Sequence, residues 1–244
     1  MRVGESVVGV ETRAAVVLTY DDGPTPGITD RLLATLDEHH ATATFFALLT
    51  RVRRDPGLLR EVLAAGHEVG LHGLDHRRLT TTPRHALRGW VRDGRRELED
   101  VTARPVRWFR APYGAQSRAS WRAAVAEGMV PVHWSVVCRD WLTLPLDDHL
   151  AEVRGRPLAG EVVLLHDGFA DATDGSYDGR RPELDRPALT RSVLREAASQ
   201  GLVGSSLGAA ASGAALRTGT RLSPEAGLRA RVRRALGSMG GRPR

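Results

Sequence analysis

Residues 18–26 read LTYDDGPTP. An apolar, β-branched run, AAVVLTY over 14–20, leads into Asp21 and Asp22, and a Gly-Pro turn follows at once. The run predicts a buried strand, so both carboxylates stand where that strand ends. Adjacent like charges repel, and the rest of the chain must supply whatever compensates them.

Working outward, apolar strand-like runs alternate with helical periodicity. A helix is predicted over 28–40, with Leu32, Leu33 and Leu36 on its apolar face, then a strand over 41–49. Asp55 is placed to cap a helix that starts at Pro56. Short strands are expected at 67–72, 106–110, 130–136 and 161–166, with a possible last one at 202–206. Helices are expected at 82–101, 117–128, 147–155 and 186–201. Such alternation predicts parallel βαβ units, and about seven repeats in roughly 200 residues favour barrel-like closure over an open sheet. Residues 167–185, rich in Gly and Asp, read as a long surface loop.

The composition narrows the function. All 35 basic residues are arginine, and the net charge is +6. Residues 209–244 hold eight Arg and one Glu, a net of +7, which leaves residues 1–208 at −1. A nearly neutral body excludes an electrostatic nucleic-acid clamp. The 209–244 segment reads as a basic, flexible tail: a linker over 209–220, then a stretch that could form one helix capped by Ser223, with Leu228, Val232 and Leu236 on one face. The lone Cys138 leaves no intrachain disulfide framework. Glu5, Glu11 and Arg13 interrupt the apolar N-terminal residues, which predicts a cytoplasmic protein with no signal peptide and no stable membrane insertion.

Residues able to do chemistry gather at the predicted strand ends: Asp21 and Asp22, His72 and His76, Arg110, Asp140 with Trp141, and His166 with Asp167. In a parallel barrel those ends share one face, where barrel active sites are built. His72 and His76 are four apart, and with one carboxylate they make a three-ligand set that leaves positions open for water and substrate. Gly73 occupies the place of a zinc-protease glutamate, which excludes that mechanism. Of the paired carboxylates, one can ligate a metal while its neighbour serves as general base. His39, His40, His67, His85, His133 and His149 read as ordinary polar residues; Tyr113 could be a plain turn residue and Trp141 core.

Five ordered stretches, TYDDGP (19–24), HGLDH (72–76), RAPYG (110–114), RDW (139–141) and LLHD (164–167), resemble the motifs of NodB-type polysaccharide deacetylases, carbohydrate esterase family four. The resemblance covers about residues 15–207, so residues 1–208 are expected to form the catalytic domain. It implies a distorted, incompletely closed (β/α) barrel with about seven parallel strands, and hydrolysis of an N-acetyl group on an amino sugar or oligosaccharide. It further implies that Asp22, His72 and His76 hold one divalent metal: zinc first, with cobalt, nickel or manganese as alternatives. Asp21 would be the general base, oriented by Arg110, and His166 the general acid, supported by Asp140. The Tyr113 backbone N–H would complete the oxyanion site, with Pro112, Trp141 and Leu164 in the substrate pocket.

Two positions depart from the family pattern: Val137 stands where a further Asp is frequent, and Tyr20 where Phe is common. With no export signal read, a polymer outside the membrane is disfavoured, and a soluble sugar, an oligosaccharide or a small N-acyl metabolite stands at least level with it as the expected substrate. The same chemistry would make the chain a deacylase or deformylase of such a metabolite. A catalytically inactive sugar-binding module is disfavoured by the intact Asp21, metal ligands and His166. Phosphoryl transfer lacks a phosphate-cradling glycine loop.

Overall fold

The computed structural model describes residues 2–176 and 179–223. Its strands are β1 Glu5–Val10, β2 Ala15–Asp21, β3 Thr44–Leu48, β4 Glu68–Gly73, β5 Trp108–Phe109, β6 Val130–Pro131, β7 Val136–Val137, β8 Val162–His166, β9 Val203–Ser205 and β10 Leu216–Thr220. The helices are α1 Thr29–Glu38, α2 Leu49–Val52, α3 Pro56–Ala64, α4 Arg84–Thr102, α5 Arg118–Ala126, α6 Leu146–His149, α7 Arg186–Ser199 and α8 Leu207–Ala210.

All seven residues of β2 are buried, as befits a central parallel strand covered on both faces. It pairs β8 along one edge; on the other, β9 takes its first half and β3 its last. Parallel pairing runs β6-β5-β4-β3-β2-β8-β7. These seven strands curl, with helices outside, into an incompletely closed (β/α) barrel. Side chains alternate along β2. Val16, Leu18 and Tyr20 join the large core that includes Leu32 and Leu36 of α1 and Leu189 and Val193 of α7. Val17 faces inward, among Phe46, Trp108, Val132, Val7 and Leu207. Thr19 and Asp21 share that inward parity, so the strand lifts a carboxylate to the top of an apolar stack.

The helix starts follow local chemistry. Asp55 accepts a hydrogen bond from the Leu58 N–H at 3.0 Å with Pro56 at the first position of α3, a cap worth about 1 kcal/mol. Ser117 and Ser120 form a capping box on α5, and Asp185 caps α7.

Several expectations change. The single strand expected over 130–136 is two, β6 and β7, at opposite ends of the sheet path, and residues 132–135 cross the gap between them. β1, which its interrupted apolar pattern hid, fills this gap: Val7 bridges Val132, and Gly9 bridges Glu161. The linker expected over 209–220 contains β10, paired antiparallel with β1, and α8 just before it. The predicted helix over 147–155 shortens to α6. The loop over 167–185 is not all at the surface, since Asp167, Ala170 and Asp174 are buried. The helix expected beyond Ser223 lies outside the described residues. Among the described residues no helix is long and apolar enough to cross a membrane.

Candidate active site

The C-terminal ends of the barrel strands open into a cavity of 410 Å³, whose walls include Asp21, Asp22, His72, His76, His166 and Leu164. Asp21 ends β2 and Asp22 follows at φ 77°, a left-handed conformation that Asp tolerates better than most residues. Gly23 is required next: a Cβ there would lie 1.9 Å from Asp167 Oδ2. His72 lies in β4, and His76 follows in the loop, its N–H donating to the Asp174 carbonyl at 2.7 Å.

Asp22, His72 and His76 are buried, and one ligand atom from each lies within 4.8 Å of the others. Both imidazole Nε2 atoms approach Asp22 Oδ1, at 3.3 Å from His72 and 3.2 Å from His76. His72 Nδ1 sits 2.9 Å from the Arg110 carbonyl. A carbonyl can only accept, so the proton belongs on Nδ1 and the Nε2 lone pair points toward Asp22. Asp22 Oδ1 is buried without a well-formed hydrogen bond. Acceptors converging on one another are unfavourable unless a cation lies among them, so the donor set fits a divalent metal. Burial pushes the Asp22 carboxyl upward, but positive charge and donated protons at the His76 and His72 imidazoles outweigh it and hold it well below the usual range; a divalent cation among the same atoms would supply that charge with both rings neutral.

Two ion pairs flank this cluster. Arg110, fully buried, donates to Asp21 Oδ1 at 2.7 Å, to Thr19 Oγ1 at 2.9 Å and to the His133 carbonyl at 3.0 Å. Its guanidinium carbon lies 4.1 Å from the centre of the Phe46 ring. Burying such a pair costs several kcal/mol per ion, about what the attraction returns. The apolar stack below therefore supplies the stability, and the pair fixes the orientation of a carboxylate. In the second pair, His166 Nδ1 meets Asp140 Oδ1 at 2.7 Å. Asp140 Oδ2 accepts from the His166 N–H at 2.8 Å and from Arg186 at 2.5 Å. Burial would lower the His166 imidazole, yet the charge and hydrogen bond of Asp140 prevail and raise it to about 9. Asp140 is held down against burial by His166 and Arg186. Asp21 and His166 are register partners across β2 and β8, so the two ion pairs face one cavity from adjacent strands.

The other expected residues fall around this centre. Tyr113 has φ 60° and lines the cavity; its ring packs 4.2 Å from that of His76, and Arg78 stacks on it at 3.8 Å. Leu164 is buried in the wall, and Trp141, 39% exposed, meets His166 edge-on at 5.5 Å. Pro112 is buried behind Tyr113 and is absent from the lining residues. Val137 ends β7 beside Leu164, its place in the pattern given to sheet pairing. Sequence reading missed Thr19, Arg186, Asp174 and Phe169. Thr19 alone carried a signal, since it shares the inward face of Asp21.

Fold and cleft together place the chain in the (β/α)-barrel class, with its ionisable groups gathered at the C-terminal ends of the strands, where barrel active sites are built. The chain belongs to the polysaccharide deacetylase family, whose model matches residues 9–132. It is 31% identical over 193 residues to a chitooligosaccharide deacetylase of Azorhizobium caulinodans, covering 79% of this chain and 92% of that one. It is 34% identical over 158 residues to a peptidoglycan-N-acetylglucosamine deacetylase of Bacillus cereus, covering 64% and 74%. A family 4 carbohydrate esterase from Streptomyces lividans, solved in complex with acetate, shares the fold with a TM-score of 0.68 and 24% identity over 79% of this chain and 92% of that one.

Proposed function

We propose that this protein hydrolyses the N-acetyl group of an amino sugar or oligosaccharide, releasing acetate and a free amine. The observation that carries the reading is the convergence of a buried Asp-His-His set, an arginine-held carboxylate and a carboxylate-held imidazolium on one cavity. The deacetylase relatives support the same bond as the target.

Asp22, His72 and His76 would hold the metal, and two imidazoles with one carboxylate suit zinc, with cobalt, nickel or manganese as alternatives. A bound divalent ion would supply Lewis acidity to the acyl carbonyl and make water a better nucleophile. Asp21 Oδ1 is occupied by Arg110, which leaves Oδ2 to take the proton of the attacking water. The tetrahedral oxyanion is assigned to the Tyr113 backbone N–H. His166 Nε2 gives its proton to the departing nitrogen as the C–N bond breaks, while Asp140 stabilises the ring at Nδ1. Leu164 and Trp141 form the apolar wall for the acyl methyl.

The test is acetate release by the metal-loaded protein from N,N′-diacetylchitobiose, longer chitooligosaccharides and a panel of small acetamides, with Asp21→Asn as control. Release from the sugars that disappears in the variant is expected. Turnover of small acetamides without sugars would move the substrate to an N-acyl metabolite. Silence on all of them with metal bound would refute deacetylation.

A further inference from the structure

Beside the catalytic cavity lies a second one, of 600 Å³, with Phe169 as their shared wall. Its other walls include Arg51, Arg54 and Arg181. We propose that it binds an anionic substituent, a carboxylate or a phosphate, carried by the same glycan whose acetamido group occupies the catalytic cavity. The inference rests on the deacetylase reading and adds the class of substrate.

The guanidiniums are not equally committed. Arg51, at 8% exposure, is fixed: it donates to Asp174 Oδ2 at 2.7 and 3.1 Å, to the Phe169 carbonyl at 2.7 Å and to Thr25 at 2.6 Å. It builds the floor rather than reaching outward. Arg54 uses one nitrogen, Nη2, on Thr173 and Asp174, which leaves Nε and Nη1 uncommitted. Arg181 makes no hydrogen bond or ion pair with any described residue. Burial and the like charges of Arg186 and Arg51 press its guanidinium downward. The cavity's own carboxylates are held by backbone and hydroxyl donors through Oδ1: Asp55 by the Leu58 N–H, and Asp171 by the N–H and hydroxyl of Thr173. Those carboxylates keep their charge, and Asp171 is held low by its Thr173 hydrogen bonds and in part by Arg51 and Arg54, so the donors open to a further carboxylate or phosphate are those of Arg181 and the uncommitted nitrogens of Arg54. Residues 24–26 line this cavity and are separated from Asp22 by Gly23 alone, so a sugar chain crossing Phe169 stays within reach of both sites.

The experiment compares length-matched N-acetylated oligosaccharides: neutral, C6-carboxylated and O-phosphorylated. The wild-type ratio of kcat/KM, anionic over neutral, should exceed unity and decline with added salt. Arg181→Glu and Arg54→Gln together should lower that ratio about tenfold, the effect of losing a charge-assisted contact. The two anionic series show which group the cavity prefers. Calorimetric binding of the carboxylated and phosphorylated oligosaccharides to Asp21→Asn protein, with and without the arginine substitutions, reads the cavity without turnover. Arginine-dependent binding without deacetylation of any substrate would keep the subsite and sink the deacetylase reading. Deacetylation with a ratio near unity that the substitutions leave in place would overturn the subsite alone.

Discussion

Asp140→Asn should act on the pH dependence of catalysis more than on its plateau. Asp140 raises the His166 imidazole to about 9 from 6.5 against a burial that would lower it. The raised value amounts to about 3 kcal/mol of preference for the imidazolium. A general acid must carry its proton, so kcat/KM falls as pH rises through the value of His166. Asn keeps the shape but removes the charge, and burial then brings the ring to 6.5 or below. At pH 8 the protonated fraction drops from about nine-tenths to about 3%, a loss of about thirtyfold, whereas at pH 5.5 the charge term costs little. A second loss is independent of pH: Asn has one acceptor oxygen, and with that oxygen on His166 Nδ1–H its NH2 group faces the His166 N–H and Arg186, both of which donate to Asp140 Oδ2. A cation held by Asp22, His72 and His76 would offset the smaller contributions of Asp22 and Asp21 to His166, which would put the wild-type limb at or somewhat below pH 9. The assay is acetate release from chitooligosaccharide between pH 5 and 10 at constant ionic strength, wild type and variant side by side. An alkaline limb that stays in place in Asp140→Asn, with activity lowered evenly at every pH, would refute the assignment of His166 as the acid.

Arg186→Gln should move the profile the other way: with its guanidinium gone Asp140 belongs to His166 alone, so the alkaline limb holds or rises while kcat falls, and a downward shift would contradict this. Asp22→Asn should weaken divalent-metal binding by at least about hundredfold, read by calorimetry on protein first stripped with chelator; unchanged affinity would remove Asp22 from the ligand set. Arg51→Ala leaves Asp174, fully buried, without its bidentate partner, which should cost about 3–5 kcal/mol of stability in denaturant unfolding. Because His76 donates its N–H to the Asp174 carbonyl, metal affinity should fall as well. A cost below about 1 kcal/mol would show that the 167–176 segment is anchored elsewhere.

The elements legible in the sequence are those with a local cause. β2 is a continuous apolar run because both its faces are covered, and α3 announces itself through Asp55 and Pro56. β1 and β10 have no such cause. Their residues alternate poorly and stabilise each other only across some 200 residues of chain, so LRTGT reads as linker until its partner strand is in place. The 130–136 run, VPVHWSV, is mostly apolar, and nothing local says that the barrel ends on one side of it and resumes on the other.

The same distinction governs the site. Asp21, Asp22, His72, His76, Arg110, Asp140 and His166 were readable because each stands at or just past a strand end, and parallel strands bring those ends together. Their partners were not, because Arg186 meets Asp140 and Asp174 meets His76 only through tertiary packing. The barrel gap joins the two levels. The chain that crosses it places the His133 carbonyl against Arg110 and Trp134 in the cavity wall, and β1 secures that crossing through the His133 N–H to the Val7 carbonyl at 2.7 Å. Arg110 in turn holds Asp21. The orientation of the proposed base is thus set partly by the N-terminal strand that fills the opening, and the break that defeated the sequence reading of 130–136 is what lets a backbone carbonyl reach the buried arginine.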